Sequence, residues 1–239
     1  MKITVINGTE KHGVTYKLKE MFLDELRDGT EITEFYLPKD CPNFCVGCTT
    51  CFLTDEHKCK DAENIRKIEQ AMFDADILVF TTPVYVFHAT GAMKALLDHF
   101  GYRWMPHRPA KEMFSKRAVI ITQSLGSGEK SAAKDIKDSL SWWGVSQIYV
   151  CALKLMDDIQ WDKIQAKRRA KFTLKLVGTA QKLKQIDYNK PATIGFSTKM
   201  KFYIVRLMQK KIKKTNPDSL DASYWKDNGW LGSARPWKE

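Results

Sequence analysis

Lys2-Ile-Thr-Val-Ile-Asn7-Gly8-Thr9-Glu10-Lys11-His12-Gly13-Val14-Thr15 decides the fold. A run of apolar and β-branched residues ends at a loop bounded by Gly8 and Gly13. The apolar spacing then changes to Leu18, Met21, Phe22 and Leu26, a helical period closed by Gly29. A buried strand that passes through a short loop into a helix is the opening of a βαβ unit. Glycines there permit close backbone approach, and the loop amides with the helix N-terminus suit a monoester phosphate. The loop lacks the Gly-Lys-Ser/Thr ending of a nucleotide-hydrolysing loop and the Gly-x-Gly-x-x-Gly of a dinucleotide fingerprint.

Working outward, residues 32–37 read as a second strand, and Ile65, Ile68, Ala71 and Met72 mark a second helix. Ile77-Leu-Val-Phe80 is a continuous apolar run of the kind found in parallel strands buried on both faces, and Pro83 ends it. A helix over 89–100, a strand at 118–121, the turn Leu125-Gly-Ser-Gly128, a helix to about Trp143 and a strand at 147–153 follow. A long helix carrying Phe172, Leu176, Ala180 and Leu183 on one face ends near Tyr188. Five strands alternating with five helices predict an α/β, doubly wound five-stranded parallel sheet. Parallel neighbours require right-handed crossovers that place helices on both faces.

The chain has 239 residues, 44% of them hydrophobic, enough for one α/β domain over residues 1–188 with an appendage at 189–239. Met1 leads straight into an apolar strand without the features of a signal peptide, and no apolar run reaches the ~18 residues of a membrane span. The expected location is cytoplasmic. The net charge of +11 is concentrated: residues 190–214 hold eight Lys and Arg and no acid, leaving +3 for the rest. Such a local segment fits a solvated helix face or an anionic partner, and argues against nucleic acid, whose binders spread charge over a groove-shaped footprint.

Five of the six cysteines lie between Cys41 and Cys59, and four read Cys45-x-x-Cys48-x-x-Cys51-x7-Cys59. Two intervening residues let neighbouring thiolates converge on one centre, and a fourth beyond a short loop closes a four-sulfur set. A [4Fe-4S] cluster, zinc, or free thiols in a dimer-forming loop are the three readings. Cys41 stands outside the repeat, and Cys151 reads as a small core residue.

Two further strand ends carry Thr81-Thr82-Pro83-Val84-Tyr85-Val86-Phe87-His88 and Thr122-Gln123-Ser124-Leu125-Gly126-Ser127-Gly128. With the first loop, the cysteine motif and Gly91-Ala-Met-Lys-Ala-Leu-Leu-Asp-His99, they make the chain resemble the flavodoxin-like NAD(P)H-dependent FMN reductases from Met1 to about Tyr188. It looks most like the branch that includes the iron-sulfur flavoproteins. The resemblance implies strand order 2-1-3-4-5, FMN at the switch point and a homodimer. It implies phosphate contacts from Thr9, Lys11, Gly13, Val14 and Thr15. It further implies isoalloxazine contacts from Pro83, Val84, Tyr85 and Val86, with Thr82 and Phe87 of the same segment. Gly126, with Thr122 and Leu125, would take the remaining edge. Cys45, Cys48, Cys51 and Cys59 would be the metal set. Two departures stand out: Thr9-Glu10 replaces the usual serine and basic residue, and Lys60-Asp61-Ala62 follows Cys59 in place of an acidic pair.

The expected activity is transfer of a hydride from NAD(P)H to FMN and onward passage of electrons to a quinone, nitroaromatic, flavin or protein acceptor. Hydride transfer to flavin requires no protein acid or base, so none of His88, His99 and His107 is assigned as catalytic. The alternatives are an iron-sulfur flavoprotein electron carrier that exchanges with ferredoxin, and a flavin-free zinc-stabilised interaction module. In the appendage, Met200, Tyr203, Ile204, Leu207, Met208 and Ile212 share a helical face among lysines, and Asn216-Pro217 stops the helix. Tyr224, Trp225, Trp230 and Trp237 follow. That face is expected to pack on the domain or a partner subunit, with a lid over NAD(P)H or contact with an anionic membrane surface as the other options.

Overall fold

A computed structural model describes residues 1–156, 158–190 and 192–238. Strands β1 (Lys2–Asn7), β2 (Glu31–Tyr36), β3 (Ile77–Pro83), β4 (Arg117–Ser124) and β5 (Gln147–Lys154) form one parallel sheet in the order β2-β1-β3-β4-β5. The period of two sorts side chains between two cores. Ile6, Leu78, Phe80, Ala118 and Ile120 face helices α3 (Ala62–Asp74), α4 (Gly91–His99) and α5 (Glu129–Trp142). Ile3, Val5, Ile77, Val79, Val119 and Ile121 face α1 (Val14–Asp24) and α6 (Ala166–Lys184). Every residue of β3 is buried, as its unbroken apolar run requires.

Strand β4 runs past the expected 118–121 because Thr122, Gln123 and Ser124 pair with Ala152, Leu153 and Lys154. Between β2 and β3 the cysteine segment forms a short helix, α2 (Thr50–Leu53), and a 3-10 turn at Glu56–Lys58, which periodicity did not reveal. No helix among the described residues is long and apolar enough to cross a membrane.

The appendage contains α7 (Phe196–Thr215) and α8 (Leu220–Asp227), and α7 stops before Pro217 as expected. The face α7 packs on its own domain is not the one with the most apolar residues. Phe202, Val205 and Gln209 are buried, whereas Ile204 is 60% and Leu207 69% exposed, Met200, Tyr203 and Met208 are partly exposed and Ile212 is half-buried. The reason lies in the partners. Phe202 and Val205 join Met105, Phe114, Trp225 and Trp230 in a third core that the more numerous apolar residues of the other face do not enter. Gln209 is drawn inward because its Nε2 donates to the Pro106 carbonyl at 2.6 Å.

Candidate functional site

The loop after β1 is held against the end of β3. Gly8 N donates to the Thr81 carbonyl at 2.7 Å, and its own carbonyl accepts from Thr90 Oγ1 at 2.6 Å. A Cβ at Gly8 would stand 2.9 Å from the Thr81 carbonyl oxygen, so this approach requires glycine. Lys11 N donates to Thr9 Oγ1 at 3.2 Å, folding the loop over itself. Helix α1 then starts from Gly13, which offers no capping side chain, so its first-turn amides and the positive end of its dipole face the loop. Thr9 is partly exposed, while Glu10, Lys11, His12 and Gly13 are exposed and Val14 and Thr15 buried. His12 stacks on Tyr16 with ring centroids 4.0 Å apart. Thr15 Oγ1 accepts from Gln123 Nε2 at 3.2 Å, which links this loop to the end of β4.

The other two loops stand beside it. Pro83 is buried and Val84 half-buried, with Val84 N bonded to the Gln123 carbonyl at 2.9 Å. Beyond it, Tyr85 and His88 bridge as a tight hairpin whose tip residues, Val86 at φ 48° and Phe87 at φ 66°, both occupy the left-handed region. Such a conformation in a β-branched and an aromatic residue is costly, and it holds Tyr85, Val86 and Phe87 out in solvent. Gly128, at φ 98°, fits under the hairpin because a Cβ there would meet Phe87 Cα at 2.7 Å. Leu125 and Gly126 are exposed. Thr82 and Thr122 are fully buried. Thr82 Oγ1 donates to the Pro83 carbonyl and accepts from Thr90 N, while Thr122 Oγ1 donates to the Glu129 carbonyl, so both hydroxyls shape the loops from within.

Beneath the first loop lies a polar network that sequence reading did not identify. Lys19 Nζ is fully buried and donates to Glu34 Oε2 at 2.5 Å and Tyr36 OH at 3.3 Å, with Glu20 at 2.9 Å. Asn7 Nδ2 donates to Glu34 Oε2 at 3.0 Å and to the Phe35 carbonyl at 3.1 Å, and Asn7 Oδ1 accepts from Thr81 Oγ1 at 3.2 Å. Burial disfavours charge on Glu34, but hydrogen bonds from Lys19 and Asn7 outweigh it and hold the carboxyl below its ordinary range. Burial likewise opposes the charge of Lys19, and its bonds to Glu34 and Glu20 hold it above. The available signal was Lys19 falling at the apolar spacing of α1, one residue after Leu18.

The cysteine segment makes a separate pocket. Cys45, Cys48, Cys51 and Cys59, with Phe52 and His99, line one cavity of about 70 Å³. Burial raises the Cys51 thiol pKa, and the neighbouring thiols Cys59, Cys45 and Cys48 add to it. A hydrogen bond from Thr50 lowers that of Cys48, while burial pushes Cys41 up to about 11. Cys41 lies in the core and Cys151 in the opposite core, outside the set. The segment is fixed by Arg108, which is 5% exposed. Its guanidinium donates to the Cys51 carbonyl, lies 3.2 Å from Glu56 and pairs with Asp221 of α8. His107 Nδ1 is 2.7 Å from the other Asp221 oxygen, and its ring meets Phe52 edge-on at 4.7 Å.

A groove of about 650 Å³ beside β2 and α3 is larger than the cysteine pocket, but Lys2, Glu31 and Ala75 place one end of it at the amino ends of the strands. Ligands of open α/β sheets bind at the carboxyl ends. The three loops are at that end.

Comparison with known proteins agrees with this geometry. An iron-sulfur flavoprotein of Archaeoglobus fulgidus is 32% identical over 130 residues, covering 54% of this chain and 62% of its own length. An iron-sulfur flavoprotein of Clostridioides difficile is 30% identical over 103 residues, 41% of this chain and 45% of its own. The chain thus spans less than two thirds of the length of these curated relatives. Among solved structures, the NAD(P)H:quinone oxidoreductase of Methanothermobacter marburgensis aligns with TM-score 0.58 and 14% identity over 78% of this chain and 98% of its own. An azoreductase of Bacillus anthracis aligns with TM-score 0.58 and 13% identity over 77% and 98%. At those identities the likeness shows the fold, which is flavodoxin-like. The family profile described as NADPH-dependent FMN reductase matches residues 1–153, nearly the whole sheet, all three carboxyl-end loops and the cysteine segment, and the chain belongs to that family.

Proposed function

We propose that this chain is an FMN-dependent NAD(P)H oxidoreductase. The observation that carries the reading is the meeting of three loops at the carboxyl ends of β1, β3 and β4, around the Gly8 approach and the uncapped start of α1. Thr9, Lys11, Gly13, Val14 and Thr15 would hold the phosphate through amides, a hydroxyl and the helix dipole. Pro83, Val84, Tyr85, Val86 and Phe87 would lie against the ring, with Leu125 and Gly126 at its other edge. FMN supplies acceptance of a hydride and release of one or two electrons. The protein's part is to orient the ring, exclude water from it and bind the nicotinamide and acceptor. The acceptor class is a quinone, nitroaromatic, flavin or redox protein. The exposed apolar hairpin is the surface a second copy would cover in a homodimer, and the domain division at residue 188 belongs to the same reading.

The test places a carboxylate where the phosphate should sit. A Cβ added at Gly13 would meet nothing within 4 Å, and aspartate is a good helix N-cap, so Gly13→Asp is expected to fold. FMN affinity should fall by tenfold or more (on the order of 1.4 kcal/mol) while riboflavin affinity stays level, both read by fluorescence titration. Equal FMN affinity removes this loop from the site. Stopped-flow bleaching by NADH or NADPH then supports the oxidoreductase, and reduction by ferredoxin or dithionite alone supports the electron carrier.

A specific observation favours a second redox centre. Four thiols line one cavity, and the sulfurs of Cys45, Cys48 and Cys59 lie near enough to Cys51 to act on its charge, which suits a [4Fe-4S] cluster on Cys45, Cys48, Cys51 and Cys59. The flavin-free zinc module has less support, because it leaves the three carboxyl-end loops without a role.

A further inference from the structure

At the edge of the cysteine pocket stands a second, chemically different donor set. A sulfur of Cys59, a carboxylate oxygen of Asp61 and a ring nitrogen of His99 all lie within 4.8 Å of one another. They come from three separate elements: Cys59 closes the 3-10 turn at Glu56–Lys58, Asp61 begins α3 and His99 ends α4. Asp61 and His99 are 5% and 6% exposed.

Asp61 is the informative residue. An aspartate at a helix N-cap normally turns its side chain onto the first-turn amides, yet here the side chain makes no capping bond. One oxygen, Oδ1, accepts from Asn43 Nδ2 at 2.6 Å. The other, Oδ2, is buried without a hydrogen-bond partner among the described residues; His99 Nε2, 3.9 Å away, is too far for one. A buried carboxylate oxygen left in this state is expensive unless something charged completes it. The same Asn43 also accepts from His99 Nε2 through its carbonyl at 3.1 Å, so one residue holds both side chains beside the Cys59 sulfur.

We propose that Cys59, Asp61 and His99 form a site for a single divalent cation of the zinc class. One thiolate, one carboxylate and one imidazole are a donor set that zinc accepts, and a tetrahedral site at bond lengths near 2.0–2.3 Å brings donors to about 3.5 Å apart. A contraction of roughly 1 Å completes it. Binding displaces the thiol proton of Cys59, and the neutral imidazole turns Nε2 from the Asn43 carbonyl to the metal, its proton residing on Nδ1. With three protein ligands the fourth position is left to solvent. The site goes beyond the flavin reading and does not depend on it. It competes with the four-thiolate set for Cys59, so cluster and single ion are exclusive occupants of the same corner.

The experiment is titration of the full chain, stripped of iron anaerobically, with zinc chloride and separately with cobalt chloride. One equivalent should bind, and the cobalt spectrum should show charge transfer from one thiolate. Asp61→Asn and His99→Gln should each weaken zinc by more than tenfold, and Cys45→Ser/Cys48→Ser/Cys51→Ser should leave affinity within threefold. Cys59→Ser, at a half-buried turn, should also lose the ion and serves if a change at buried His99 disturbs folding. Zinc that follows Cys45, Cys48 and Cys51 and ignores Asp61 and His99 overturns the proposal, as does no stoichiometric binding.

Discussion

The carboxyl-end loops and the cysteine segment are both chemically equipped, but they are held in opposite ways. The loops after β1, β3 and β4 take their positions from the sheet itself: Gly8 N to Thr81, Val84 N to Gln123 and the backbone register on either side. The cysteine segment, residues 41–59, has no strand within it. Its position is set by side chains reaching from far away, above all Arg108, which connects Cys51 and Glu56 to Asp221. Backbone-held sites survive the loss of single side chains. A site organised around one guanidinium should not.

Arg108→Ala is therefore the substitution expected to have the largest effect. It removes the cation shared by Asp221 and Glu56, leaving them only His107 at 2.7 Å and Arg103 at 3.5 Å, at a cost of about 3 kcal/mol. Urea unfolding should show the destabilisation, and reconstituted iron and sulfide per chain should fall while FMN content holds. If metal loading survives and FMN is lost instead, the contrast between the regions fails. Arg108→Lys keeps the charge but not the fork, and is expected to recover stability only in part.

The network beneath the first loop gives an intermediate effect and sharpens the contrast from the other side. Glu34→Gln removes one of the two carboxylates on buried Lys19, and about 2 kcal/mol is expected because Glu20 remains. The folded pKa of Glu34 lies below its ordinary 4.5, so its contribution is present above that pH and is lost as pH falls through the folded value. Lys19, raised above 10.5, contributes fully below that pH and loses its share as pH rises through its folded value. The difference in stability between parent and variant should be level at neutral pH and shrink below pH 4.5. A difference that grows in acid would contradict the assigned roles.

The smallest effect is expected at the hairpin tip. Val86 is 90% exposed and holds φ 48°, so Val86→Gly loses little packing and relieves the left-handed strain. A gain of about 1 kcal/mol is anticipated, readable as a higher melting temperature. Destabilisation would mean that the tip is braced by contacts stronger than its exposure suggests.

What the sequence made legible follows from where each signal resides. The five strands announce themselves through local apolar runs, and the loops through glycines and prolines at their ends, so a parallel sheet and the three carboxyl-end segments could be anticipated, while the order 2-1-3-4-5 came from the family resemblance. The four cysteines could be gathered by spacing alone. Arg108 could not, because its partners lie 57 and 113 residues away and nothing local marks it. Which face of α7 packs on its own domain was hidden for the same reason. Counting apolar residues favoured Met200, Ile204 and Leu207, but Trp225 and Trp230 selected Phe202 and Val205. Asp61 was noticed only as a departure after Cys59; its buried, unpartnered oxygen belongs to three dimensions.

Arg108 also bears on how such a chain can be taken apart. The family match ends at residue 153, and the aromatic C-terminal segment lies beyond it. Yet Asp221, in that segment, grips the same guanidinium as Cys51, and Tyr224 and Trp225 bond the carbonyls of Pro109 and His107 on either side of it. The boundary drawn by inheritance is not the boundary of mechanical dependence. A chimera that borrows the cysteine loop from this chain must take residues 102–116 and the C-terminal helix with it, since the three travel as one heritable part scattered over the length of the polypeptide.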